Sequence, residues 1–156
     1  MSMTIKQSNP NAIKDVLKRY RNSKELAIGY PLGTDGVSTR YPDGTPVLTV
    51  AASNNFGAPS RGIPARDFMS QGGVRALDRT QPIAETLVGQ INAGDITIDQ
   101  ALEILGPVAV AEFQQTIVDI DTPPNAEFTV EKKGSSNPLV DTSLMTQSLT
   151  YVVRDS

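Results

Sequence analysis

The segment Thr97 to Ile120, TIDQALEILGPVAVAEFQQTIVDI, decides the fold. Ile98, Leu102, Leu105, Ala109, Phe113, Ile117 and Ile120 recur at spacings of three or four, the period of one helix face. Thr97 with Gln100 three residues on is a capping box, so the helix starts there. Gly106-Pro107 lies inside it. Pro107 removes one backbone hydrogen bond and crowds the preceding turn, which predicts a kink or a break. Just upstream, Ile83, Leu87, Val88 and Ile91 mark the apolar face of a second helix, with Gly94 placed to end it. Two such helices over about 73–93 and 97–120 predict an antiparallel α-hairpin. Gly72-Gly73, before it, reads as a hinge between helical pieces; no GxxxxGK[ST] or GxGxxG phosphate frame accompanies it.

Outside the hairpin the pattern shortens. Asn9-Pro10 is a helix start, and Ile13, Val16, Leu17 and Tyr20 form one apolar stripe of a helix over about 9–22. Lys14, Lys18, Arg19 and Arg21 lie mostly off that stripe, as a solvated face or as a contact for DNA or an acidic partner. Glu25–Tyr30 reads as a strand. Tyr41-Pro42-Asp43-Gly44 is a turn, so Val37–Tyr41 and Pro46–Ala52 are expected to form a hairpin around it. Ser53–Met69 has too much Gly and Pro to be regular, and reads as an ordered loop anchored by Phe56, Ile63 and Phe68. Pro123-Pro124 ends the long helix. Phe128 and Val130 suggest a short strand, Lys132-Lys133-Gly134 a basic turn, Asp141 and Thr142 a cap for a short helix carrying Leu144 and Met145, and Leu149, Tyr151 and Val153 a closing strand. The expected class is α+β: a small, mostly antiparallel sheet packed against a helical hairpin plus an N-terminal helix, with long loops, in one domain spanning 1–156, with hairpin and loop over 25–69 and a C-terminal strand region over 123–154.

Composition narrows function by exclusion. The chain has 156 residues, net charge −3, and no Cys, His or Trp. Without Cys there are no disulfides, thiolate nucleophiles or Cys-ligated metals. Without His the commonest general base is missing and a Ser-His-Asp triad cannot be built within one chain. The acidic balance weighs against a nucleic-acid binder. Asp95 with Asp99, and Asp119 with Asp121, are carboxylate pairs, but no EF-hand frame or acidic triad accompanies them, and acids at a helix start complement its dipole. The N-terminus, MSMTIKQSNPN, has no apolar signal core, and no apolar run is long enough to cross a bilayer, so no membrane association is expected. No catalytic, cofactor-binding or metal residue emerges, which favours a non-enzymatic role. A small nucleic-acid- or protein-binding module using the basic N-terminal helix and the Lys132-Lys133 turn is the alternative.

Two stretches carry a resemblance. Val50–Met69, VAASNNFGAPSRGIPARDFM, is similar to a pattern of small residues, a polar or acidic residue, FG, a variable loop and PARPF. Asn125–Val153 is similar to a pattern of PPNA, a strand, a KG turn, PL-(V/I)-DTG, a short helix and a closing S-(I/L)-T strand. In this order, with two helices between, they resemble the tail-completion or head–tail-joining family of tailed bacteriophages, which covers most of the chain from Glu25 on. Ser143 stands where that family usually has Gly, so this turn either needs no positive φ or tolerates one. Asp67 stands where it often has Pro, and is placed to cap the following helix.

The resemblance implies a virion structural protein of the neck, assembled in the host cytoplasm. It implies a homo-oligomeric ring, six-fold or alternatively twelve-fold, between portal-side and tail-tube proteins, with genomic DNA passing through its channel without sequence-specific binding. It brings no catalytic residue. The candidate assembly contacts are Phe56, Arg66, Phe68, Lys132, Lys133 and Asp141.

Overall fold

The computed structural model describes residues 11–22, 24–32, 39–123 and 143–156. In chain order it has α1 (Ala12–Arg19), β1 (Lys24–Gly29), α2 (Val47–Phe56), a single 3₁₀ turn at Pro59–Arg61, α3 (Phe68–Ala93), α4 (Ile98–Asp119), α5 (Leu144–Ser148) and β2 (Thr150–Asp155). The class is α+β, with the α3–α4 hairpin packed on a two-stranded antiparallel sheet. The Asn9-Pro10 helix start, Val37, the Phe128–Val130 strand, the Lys132-Lys133 turn and the Asp141 cap lie outside the described residues.

The hairpin forms where the periodicity placed it. Thr97 Oγ1 accepts from Gln100 N at 3.2 Å and Gln100 Oε1 accepts from Thr97 N at 2.9 Å, so both halves of the capping box are made. Gly94 ends α3 in the left-handed region, φ 87°, with its N–H on the carbonyls of Gln90 and Ile91. That φ is open to glycine and strained for other residues. Asp67 caps α3 as expected, its Oδ1 accepting from Ser70 N at 3.1 Å.

Two expectations about the helices are corrected, and at Pro107 the break is excluded. Gly72-Gly73 is no hinge: both residues lie within one unbroken 26-residue helix. Gly72 is there for room, because a Cβ on it would stand 2.6 Å from Phe113 Cδ1. Pro107 neither breaks nor ends α4, which runs through it for 22 residues, and α3 likewise runs through Pro82. Both prolines sit on exposed positions, where the carbonyl that loses its partner meets water instead. The stretch after Pro46 is a helix and not the second half of a hairpin. The turn itself forms, with Tyr41 N donating to Thr45 O at 2.9 Å and a single bridge between Arg40 and Pro46. From Val47 the chain winds so that Val47, Ala51 and Asn55, four apart, share one buried face. Burial of that face outweighs the strand preference of Val and Thr.

The sheet rests on α4. Leu26 pairs with Val153 and Ile28 with Tyr151. Leu26 and Ile28 join Ala76, Ala109, Phe113 and Leu149 in the central core cluster. At one end of the hairpin Leu87, Ile91 and Ala101 make a second cluster. At the other, Val47 and Ala51 of α2 meet Phe68, Ile117, Ile120 and Met145 of α5. Each fully buried Leu, Ile or Phe contributes ~1.5–3 kcal/mol. Ser143, before α5, has φ 60°. The turn therefore does take a positive φ, and serine occupies it at the cost of local strain.

Candidate assembly surface

The loop between α2 and α3 is built by polar side chains. Asn55, buried, turns its Oδ1 to the backbone N–H of Met69 at 2.9 Å and satisfies a donor in the first turn of α3. Asn54 O accepts from Arg66 N at 2.8 Å. Arg66 is only 3% exposed. Its Nε donates to the carbonyl of Pro123 at 2.8 Å and its Nη1 to Asn54 Oδ1 at 3.2 Å. One guanidinium thus ties the end of α2 to the chain leaving α4. Burial pulls the Arg66 guanidinium below its ordinary pKa. Gly57, φ 79°, lets the loop fold back tightly, since a Cβ there would lie 2.9 Å from Ala65 N.

The six candidate contacts therefore separate. Phe68 and Arg66 lie inside the chain's fold, Phe68 in the core and Arg66 as the loop's tie, so neither belongs to its outer surface. Phe56 is the reverse. It does not anchor the loop but closes α2 with its ring in solvent. Lys132, Lys133 and Asp141 lie outside the described residues.

Phe56 has company that residue types alone did not single out. Phe56, Ile13, Leu77, Leu17 and Val74 are each between 63% and 78% exposed. Leu48 and Phe56 stand two turns apart on the outer side of α2, a helix with no charged residue. Val74 and Leu77 neighbour each other on α3, and Ile13 and Leu17 on α1. The stripe of α1 divides: Ile13 and Leu17 stand in solvent, whereas Val16 is half-buried and Tyr20 takes part in holding the helix. The helix is held by Arg19, which donates to the carbonyls of Ile91, at 3.0 Å, and Asn92, and by Tyr20 Oη, which donates to Asn92 Oδ1 at 2.8 Å.

Several of the carboxylates are engaged within the fold. Asp119 Oδ2 accepts from Arg75 at 2.6 Å and Oδ1 from Gln115 at 2.7 Å. Arg75, then Gln115, holds the Asp119 carboxyl below its ordinary pKa. Lys24 pairs with Asp155 at 2.8 Å and Asp99 at 3.5 Å, and the Asp155 bond raises its pKa. Tyr151 donates to Glu103 at 2.7 Å, which raises the phenol's pKa. Among the described residues no three acidic, His or Cys side chains gather as a metal site, and no helix is long and apolar enough to cross a membrane. Tyr30 carries an unusual group: its hydroxyl is buried and has no hydrogen-bond partner among the described residues. Burial pushes its pKa far above the ordinary value, with a smaller push from Tyr41.

What the arrangement offers is contact area, with uncharged or apolar side chains displayed on three separate helices. No family model matches this chain, no curated protein matches it, and no solved structure matches it.

Proposed function

We propose that the protein is a non-enzymatic structural subunit that works by self-association, in the manner of the neck rings of tailed phages that its sequence resembles. One observation carries this: large apolar side chains stand in solvent on α1, α2 and α3 of the single chain. Burial of each by a neighbour would contribute ~1.5–3 kcal/mol to association. The display is spread over different faces, which suits a subunit with a neighbour on either side, the contact pattern that closes into a ring. The loop tied by Arg66 supports it by giving Phe56 a fixed position at the end of α2.

Sedimentation velocity across a wide concentration range, with negative-stain microscopy of the fastest species, tests the proposal. The expected result is a closed oligomer that Phe56→Glu weakens without loss of helical signal. A chain that stays monomeric throughout, and that also fails to join isolated heads or tails, refutes it.

A further inference from the structure

α1 is attached through Arg19 and Tyr20 at its C-terminal end and leaves Ile13 and Leu17 exposed. At 100° per residue, Ile13 and Leu17 lie about 120–160° round the helix from Arg19, and Lys14 and Lys18 line one margin of their exposed face. All four side chains are exposed. The middle of α3 shows the opposite pattern. Val74, Leu77 and Gln81 fall within an arc of about 60° on its outer side, and Asp78 and Glu85 line one margin. Arg75 and Arg79 turn away from that strip, toward Glu112 and Asp119 of α4. Neither Asp78, Glu85 nor Lys14 has an ion pair among the described residues. The segregation extends along the chain: no Lys or Arg occurs from Thr80 to Glu131, whereas Lys14, Lys18, Arg19, Arg21 and Lys24 crowd the first helix and its exit.

We infer that α1 of one copy seats on the outer face of α3 of a second copy, Ile13 and Leu17 against Val74 and Leu77, with Lys14 and Lys18 facing Asp78 and Glu85. This rests on the self-association proposed above and names one of its interfaces. Opposite margins beside matched apolar strips give both attraction and register. The two strips are different surfaces of the protomer, so the contact is heterologous and must either close into a ring or run on. A protomer's own α1 is held at Ile91 and Asn92, at the far end of α3, which leaves the strip near Val74 for the neighbour. An eight-residue helix covers two turns, less than a stable interface of ~1,000 Å² needs, so this contact is weak by itself and acts with others.

The chain has no cysteine, so an introduced pair reports on this contact alone. Leu17→Cys chains are mixed with Leu77→Cys chains under mild oxidation. The expected product is a 17–77 cross-linked dimer well above that formed by a control mixture of Leu48→Cys and Leu77→Cys. Adding Lys14→Glu and Lys18→Glu to the first chain should abolish the product. Adding Asp78→Lys and Glu85→Lys to the second should restore it. Cross-linking no better than the control, or indifferent to charge reversal, overturns the contact. Sedimentation of the unaltered chain then separates the two ideas: an oligomer lacking the 17–77 product leaves self-association standing, and a monomer removes both. Binding of the chain to anionic vesicles that Leu17→Glu abolishes, without a 17–77 product, would assign the face to a lipid surface instead.

Discussion

Replacing Gly72 and, separately, Gly73 by alanine puts the packing of the helical hairpin to a direct test. Both residues lie inside α3, so both substitutions gain the same helix propensity, about 1 kcal/mol. Their surroundings differ. A Cβ on Gly72 would stand 2.6 Å from Phe113 Cδ1, 2.9 Å from Cγ and 3.2 Å from Phe113 Cα. The last of these is backbone, so turning the ring does not relieve it; α4 itself must move. Overpacking of that kind costs about 1–3 kcal/mol. A Cβ on Gly73 meets nothing nearer than Phe113 Cζ at 3.8 Å, an ordinary contact. Gly73→Ala should therefore stabilise by about 1 kcal/mol, whereas Gly72→Ala gains the same propensity and loses it, or more, to the collision. Propensity cancels between them, so the variants should differ by about 1–3 kcal/mol. Urea unfolding followed by far-ultraviolet circular dichroism measures this, and at about 2–4 °C per kcal/mol for a chain of this size thermal melts resolve it too. If the two variants gain alike, Phe113 does not lie on Gly72. If both lose alike, the glycines serve flexibility after all, and the hinge expected from sequence is restored.

Other substitutions read separate parts of the structure. Arg66→Ala removes the bonds to the Pro123 carbonyl and the Asn54 side-chain oxygen and should cost about 1.5–3 kcal/mol in urea unfolding, with Arg66→Lys recovering only part because an ammonium lacks the planar fork. Ser143→Gly relaxes a left-handed residue and should raise the unfolding midpoint by the equivalent of about 0.5–1 kcal/mol, the strain removed less the added chain entropy. Tyr30→Phe removes a buried hydroxyl without a partner among the described residues and should be neutral or stabilising by about 1 kcal/mol at pH 7. Because the folded-state pKa of Tyr30 is raised, its neutral form supports folding fully below the unfolded value of about 10, and that support is lost as pH climbs beyond it. The Tyr30→Phe variant should therefore show a shallower alkaline loss of stability than the parent.

The long-range plan was legible because it depends on local, repeated signals. The α4 stripe, the Thr97–Gln100 box, the Gly94 cap and the alternation of Leu149, Tyr151 and Val153 each announce one backbone state, and the structure adopts them. Failures came where one residue type serves two purposes. Glycine gives flexibility or room, and only the position of Phe113 decides which Gly72 supplies. Val47 to Ala52 carries β-branched residues of a strand, yet the four-residue spacing of Val47, Ala51 and Asn55 was the helical signal, and Asn55 hid it by being polar. Its amide is buried because it caps α3, a partner 14 residues away. Among the site residues the same ambiguity divided Phe56 from Phe68. Composition cannot separate two phenylalanines flanking one loop; the helical phase does, turning one into the core and the other into water.

The attachment of α1 shows how the fold fixes an outward apolar face. An amphipathic helix ordinarily settles with its apolar side inward, since burying Ile13 and Leu17 would be worth ~1.5–3 kcal/mol each. Here polar contacts orient it. The end of α3 presents carbonyls at the negative pole of a long helix, and Arg19 donates to two of them. Gly94 makes the approach possible: a Cβ there would lie 2.7 Å from Arg19 Nη2. The Arg19 guanidinium reaches these carbonyls when α1 turns its Arg19 side to the end of α3, and in that orientation Ile13 and Leu17 stay in solvent. The hydrogen bonds gained, at about 0.5–1.5 kcal/mol each, do not exceed what burying both side chains would offer. The single chain therefore leaves apolar burial unrealised on α1, and a surface that supplies it without disturbing Arg19 gains that free energy in full.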